Sequence, residues 1–168
     1  MTLRTERLLL RPVGSEDAMA ITDGLRDWEV TRWLSSVPWP YRRQDADWFI
    51  AEAEAGRVAP LAITRDNALL GVIAIDGELG YWLARPHWRH GYMPEAAAAV
   101  VDAFFTDGGD DLASSYLVGN GRSAAVLSGL GFRETGRQMR PSRPLGREVP
   151  SVAVRLTRAD WLARRSGT

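Results

Sequence analysis

The sequence has no cysteine and no lysine. The absence of cysteine excludes a disulfide framework, a thiolate metal site and a cysteine nucleophile together. Histidine is scarce: His87 and His90 lie three positions apart, without cysteine or a carboxylate at ligand spacing, so no metal is expected. Apolar runs fall well short of the roughly 20 residues that a membrane span needs. The opening segment "MTLRTERLLLRP" carries charges where a signal peptide has its apolar centre, so the expected compartment is the cytoplasm, with no membrane partner. All 21 basic residues are arginine, which we read as a compositional bias, and they balance 21 acidic residues to a formal net charge of zero. A neutral chain has no broad attraction for a polyanion, and no DNA partner is expected.

What is present is an ordinary globular composition, 45% hydrophobic and 25% charged over 168 residues. That length is enough for one independent core, so residues 1–168 are read as a single domain, a monomer or a homodimer. "RLLLRPV" (Arg7 to Val13) reads as a strand, followed by a helix in "SEDAMAITDGL" with Ser15 as its N-cap. A short helical stretch around "WEVTRWL" ends at "VPWPY", and "RRQDADWFIAEAEAG" returns to helical spacing until Gly56 stops it. The middle of the chain is strand-like. "APLAITRDNALLGVIAI" holds two apolar runs joined by Asp66-Asn67, and "GELGYWLA" adds a third after Asp76-Gly77, which makes an antiparallel meander. Later come a strand in "SSYLVGN", a helix begun by Asn120 and stopped by Gly131, and two strands near "FRETGRQM" and "VPSVAVRLT".

The stretch "WRHGYMPEAAAAVV" (Trp88 to Val101) sets a glycine at the mouth of an alanine-rich helix. The start of a helix leaves backbone N–H groups without intrahelical partners and adds the positive end of the helix dipole, so such an end binds phosphate. Pro94 suits the first turn, and Arg89 and His90 add a charge and a donor beside it. A plain strand-to-helix turn, with Gly91 supplying a positive φ, accounts for the same residues.

In order along the chain, "TERLLLRP", "GELGYWLARPHWRHGYMPEA", "NGRSAAVLSGLGF" and a closing strand resemble the GNAT superfamily of acyl-CoA-dependent N-acetyltransferases, in its RimJ/RimL-like branch. The resemblance spans nearly the whole chain. It implies an α+β layered fold with a central mixed, mostly antiparallel sheet flanked by helices. It also implies acetyl-CoA as co-substrate and an amine acceptor, either a small molecule or a protein N-terminus. By the same resemblance, the N–H groups of Arg89, His90, Gly91, Tyr92 and Met93 hold the CoA pyrophosphate, the strand Trp82, Leu83 and Ala84 pairs with the pantetheine arm, and Asn120 hydrogen-bonds that arm from the other side.

Three positions depart from the family pattern. Trp88 stands where Gln or Arg is usual, Met93 where Gly or Ala is usual, and Leu127 where many members carry a tyrosine close to the thiolate. Backbone N–H groups survive the first two changes, but a leucine donates no proton. Ser123, one helical turn before Leu127, is the best remaining donor for the thiolate, or else it caps the helix or only touches pantetheine. The resemblance gives the oxyanion to the N–H of Leu83. Glu78, at the head of "GELGYWLA", is either a base acting through a water or an exposed strand-end carboxylate. Trp33, Trp39 and Tyr41 flank a proline-broken loop and either line an acceptor pocket or belong to the core. The five arginines of "RETGRQMRPSRPLGRE" read as a solvated loop. Two function classes follow: an acetyl-CoA:amine N-acetyltransferase acting by direct attack in a ternary complex, or a degenerate acyl-CoA-binding sensor.

Overall fold

Eight strands form one sheet: β1 (Leu3–Arg4), β2 (Leu9–Pro12), β3 (Leu61–Arg65), β4 (Ala68–Asp76), β5 (Glu78–Leu83), β6 (Asp111–Leu117), β7 (Arg133–Ser142) and β8 (Arg147–Thr157). The helices are α1 (Ala18–Leu25), α2 (Trp28–Thr31), α3 (Arg43–Glu54), α4 (Tyr92–Thr106), α5 (Gly121–Leu130) and α6 (Arg158–Ser166), in a computed structural model that describes residues 1–167. The strand order is β1-β2-β3-β4-β5-β6-β8-β7. Every neighbouring pair is antiparallel except β5 and β6, which run parallel because α4 carries the chain across between them.

Each face of the sheet carries its own apolar layer. On one side Ile21 and Leu25 of α1 and Ala46 and Ile50 of α3 pack on Ala62 and Val72. On the other, Ala96, Ala97, Val100, Val101 and Phe105 of α4 lie on Ile63, Ile73 and Leu79, joined by Trp161 of α6. The alanines let α4 sit close to the sheet, and their spacing keeps one stripe buried.

The Asp66-Asn67 turn has φ of 51° and 64°, the left-handed pair that a tight hairpin requires. At α1 the structure corrects the expected cap. A 3₁₀ turn spans Ser15–Asp17, Gly14 holds the cap position, and the Asp17 carboxylate accepts the Gly14 N–H at 2.9 Å. Arg11 forks onto that same carboxylate with two contacts of 2.8 Å, which fixes Asp17 rather than Ser15 as the polar anchor. β2 is shorter than the strand expected over Arg7 to Val13, β1 precedes it, and α6 extends beyond the last expected strand. Thr157 and Asp160 cap α6: the Asp160 N–H donates to the Thr157 hydroxyl at 3.1 Å.

Candidate active site

β5 and β6 pair through Glu78 and Leu79 against Ala113 and Ser114, after which no further register pairs join them among the described residues. Ser114 marks the parting point, its hydroxyl donating to the Leu79 carbonyl at 2.8 Å. The ladder on the other side of β5 decides which backbone groups face the gap. Ala84 N–H donates to Leu70 O at 2.9 Å, in register with the Gly71–Leu83 and Val72–Trp82 pairs. Alternation along an antiparallel ladder then points the N–H and C=O of Trp82 toward β4, and those of Tyr81 and Leu83 into the gap. The Leu83 carbonyl accepts the Trp88 indole N–H at 2.8 Å, which leaves the Leu83 N–H as the donor there. Trp82 and Ala84 differ from their expected role: the backbone groups of Trp82 face β4, and the Ala84 N–H is taken by Leu70 while its carbonyl accepts from His87 at 2.9 Å.

The loop before α4 alternates in backbone handedness, with φ of 63° at Arg89 and 75° at Gly91. Alternation of this kind turns successive N–H groups into one concavity suited to an anion. Among the described residues, the N–H groups of Arg89, His90, Gly91, Tyr92 and Met93 donate to no protein acceptor. A Cβ at Gly91 would lie 3.3 Å from a guanidinium nitrogen of Arg7. The Arg7 side chain braces the loop, donating to the His90 carbonyl at 2.9 Å and to Glu95 at 2.7 Å. Burial pushes the Glu95 carboxyl upward, but hydrogen bonds from Thr5 and Arg7 outweigh it and hold the group below its ordinary value. The side chains of Tyr92 and Met93 anchor the start of α4. The Met93 side chain is buried in the core, and the Tyr92 ring lies under Arg7 with its hydroxyl bonded to Arg65. His90 turns its exposed ring onto Tyr92 at 5.5 Å.

A groove of about 300 Å³ runs from this loop between the end of β5 and the start of α5. Asn120 caps α5, its side-chain oxygen accepting the Ser123 N–H at 3.2 Å, and its amide NH₂ has no acceptor among the described residues. His87 lines the groove, its imidazole held below the ordinary value by burial and by His90. A second cleft, of about 860 Å³, opens on the other side of the same wall. Trp33, Leu34, Tyr81, Trp82 and Ser123 border both, so groove and cleft meet at Ser123. There the Tyr81 hydroxyl lies 2.9 Å from Ser123 Oγ. Leu127 is 1% exposed and packed in the core, bordering neither cavity.

In the larger cleft, Arg140 of β7 grips Glu78 with two contacts of 2.9 and 3.0 Å, and Ser115 adds a third at 3.3 Å. The Arg140 guanidinium, with help from Ser115 and against partial burial, keeps the Glu78 carboxyl below its ordinary range. A carboxylate held this way is a poor proton acceptor, which weakens the expected base role of Glu78. Trp33 and Tyr41 border the cleft, whereas Trp39 lies outside its lining and packs on Trp28 at 4.9 Å. Burial, assisted by Asp45 and Asp47, pushes the Tyr41 phenol upward, so Tyr41 stays neutral.

Residues 7–133 match the family model of the acetyltransferase (GNAT) domain. The chain belongs to the GNAT acetyltransferase family. It is similar to the uncharacterized N-acetyltransferase p20 of Bacillus licheniformis, 27% identical over an alignment of 174 positions that covers 95% of this chain and 98% of p20. Its fold matches a GNAT-family acetyltransferase from Bacillus anthracis with a TM-score of 0.83 at 19% identity, covering 95% of this chain and 99% of that one. It also matches RimJ of Mycobacterium smegmatis, solved in complex with CoA-disulfide, with a TM-score of 0.73 at 24% identity, covering 95% of this chain and 89% of RimJ.

Several residues of this GNAT acetyltransferase's site escape a reading of the sequence. Trp88, an apparent departure from the family pattern, satisfies the Leu83 carbonyl and carries the Arg122 guanidinium 3.7 Å from its ring centre, beside the groove. Arg7 lies far from the loop it braces; its only signal is its place in "TERL". Arg140 and Arg143, read as part of a solvated loop, border the larger cleft because β7 folds back beside it. Tyr81 had a signal in strand alternation, which sets it on the face opposite Glu78.

Proposed function

We propose that this acetyltransferase moves the acetyl group of acetyl-CoA to a primary amine, a protein N-terminal α-amine or the amine of a small molecule, by direct attack in a ternary complex. One observation carries the reading: a groove that begins at a concavity of free N–H groups and a separate cleft meet at Ser123, beside the strand that carries the Leu83 N–H. Two reactants entering from opposite sides meet there without a covalent enzyme intermediate.

The residues fit CoA. In this reading the Arg89–Met93 N–H groups and the α4 dipole hold the pyrophosphate, with Arg122 alongside. The Asn120 amide donates to a pantetheine carbonyl, the Leu83 N–H donates to the oxygen that gains charge during attack, and the Ser123 hydroxyl donates to the departing sulfur. Trp33 and Tyr41 enclose the acceptor. Glu78 borders the acceptor's cleft as one half of a neutral pair with Arg140. A protein α-amine, with an ordinary pKa of about 7.7 to 8, reaches its neutral form near neutral pH without a strong base.

The test is thiol release from acetyl-CoA against a panel of N-terminal peptides, polyamines, amino acids and aminoglycosides, with the acetylated amine identified by mass. Release with one class of amine, first order in enzyme, is the expected result. Tight binding of acetyl-CoA without release to any amine between pH 6 and 9 would instead assign a sensing role.

A further inference from the structure

The junction of groove and cleft contains two hydroxyls, and the reading above uses only that of Ser123. The other belongs to Tyr81, which reaches Ser123 Oγ at 2.9 Å and the Ser123 carbonyl at 3.5 Å from a strand 42 residues away. Neither oxygen has another side-chain partner among the described residues. The geometry allows either hydroxyl to donate. A phenol is the stronger donor and an aliphatic hydroxyl the stronger acceptor, which favours Tyr81 as donor and Ser123 Oγ as acceptor. A serine near the start of a helix otherwise turns its proton back to the carbonyl of the preceding turn. With one lone pair taken by the phenol, the remaining freedom of the hydroxyl points its own proton away from Tyr81, toward the open junction of groove and cleft.

We propose that Tyr81 is a positioning residue for Ser123, donating to its Oγ so that the serine proton is directed at the CoA sulfur. The pair thereby does from β5 and α5 what Leu127, buried in the core, cannot do from the next turn of α5. Burial pushes the Tyr81 phenol up to about 12 against the opposing hydrogen bond, so it remains a donor throughout the working range of pH. No proton needs to move between the two hydroxyls: a hydrogen bond to sulfur is enough to stabilise the thiolate as the acetyl–sulfur bond breaks.

The inference rests on the proposed binding of CoA, and its test separates the two. CoA is bound to the wild type and to Tyr81→Phe, Ser123→Ala and the double variant. Affinity is measured by calorimetry and the ionisation of the bound thiol by its ultraviolet thiolate absorbance as pH is raised. Tyr81→Phe keeps the ring and so the packing, which a melting curve checks. The expected result is that Ser123→Ala raises the bound thiol pKa by about one unit, Tyr81→Phe raises it by a smaller amount, and the double variant matches Ser123→Ala alone. An unchanged thiol pKa in Tyr81→Phe, or the same added shift in both backgrounds, overturns the positioning role. Absence of CoA binding by the folded wild type would instead overturn the proposed function itself.

Discussion

Asn120 holds two roles in two different atoms, so substitutions should separate them. Its oxygen accepts the Ser123 N–H at 3.2 Å and caps α5, while its NH₂ meets no acceptor among the described residues and Asn120 borders the groove. Asn120→Ala removes both. Loss of the cap costs about 1 kcal/mol, which for a chain of this size lowers the melting temperature by about 2–4 °C. Asn120→Asp keeps an oxygen where the cap needs it, and its charge at the α5 N-terminus adds about 0.3–1 kcal/mol in favour of the fold. The melting temperature of Asn120→Asp should therefore hold or rise slightly. Binding goes the other way, because a carboxylate now meets a pantetheine carbonyl as acceptor against acceptor. The lost donor is worth about 1–3 kcal/mol, or about 5- to 150-fold in CoA affinity. Thermal melts of the apoprotein and calorimetric titration with CoA read the two effects independently. A less stable Asn120→Asp with unchanged CoA affinity would show that the residue is a cap and nothing more.

Three further outcomes are expected. Glu78 sits below its ordinary carboxyl value because Arg140 favours the charged form, so the pair's contribution is complete above about pH 5 and fades as pH falls through the ordinary value of about 4.3 toward the depressed one. The stability gap between wild type and Glu78→Gln should narrow in acid, and a gap that stays constant with pH would refute the pairing argument. Gly71→Ala places a Cβ 2.0 Å from the Trp82 carbonyl oxygen and 2.8 Å from Leu83 Cα, and should destabilise by about 1–3 kcal/mol. Gly80→Ala, where a Cβ meets nothing within 4 Å, should melt close to wild type, and equal losses in the two would contradict this packing. Arg7→Ala frees the His90 carbonyl and should raise the acetyl-CoA KM several-fold with kcat nearly held, whereas a fall in kcat alone would place Arg7 elsewhere in the reaction.

Local features were the legible ones. The Asp66-Asn67 turn and the Gly91 loop are written in residues that tolerate positive φ, and the structure has φ of 64° at Asn67 and 75° at Gly91. The layered fold was legible through the family resemblance, and the matched domain bears it out. Ser15 misled because a cap is chosen by competition: Arg11, six residues before Asp17 in the chain, secures that carboxylate and moves the helix start. Long-range partners were not legible at all. Arg140 meets Glu78 across 62 residues, and Tyr81 meets Ser123 across 42. Neither contact is encoded near either residue. Both depend on where the fold brings β7 and α5 relative to β5, and β7 is separated from β5 in the sheet by β6 and β8. Strand β8 shows the same limit in another way, since its central place between β6 and β7 comes from topology and not from its own pattern. The C-terminal helix was available in principle, because Thr157 and Asp160 stand at capping-box spacing.

The central claim, that the Arg89–Met93 loop holds the CoA pyrophosphate, is tested most directly by titrating CoA and pantetheine into the wild type and Gly91→Val. A β-branched residue at φ 75° strains the loop by about 1–2 kcal/mol and crowds its concavity, while the rest of the groove is left in place. CoA affinity should fall at least about tenfold in the folded variant, in keeping with the loss of charge-assisted hydrogen bonds. Pantetheine, which has no pyrophosphate, should bind wild type and variant alike. Equal CoA affinity in wild type and folded Gly91→Val would contradict the account.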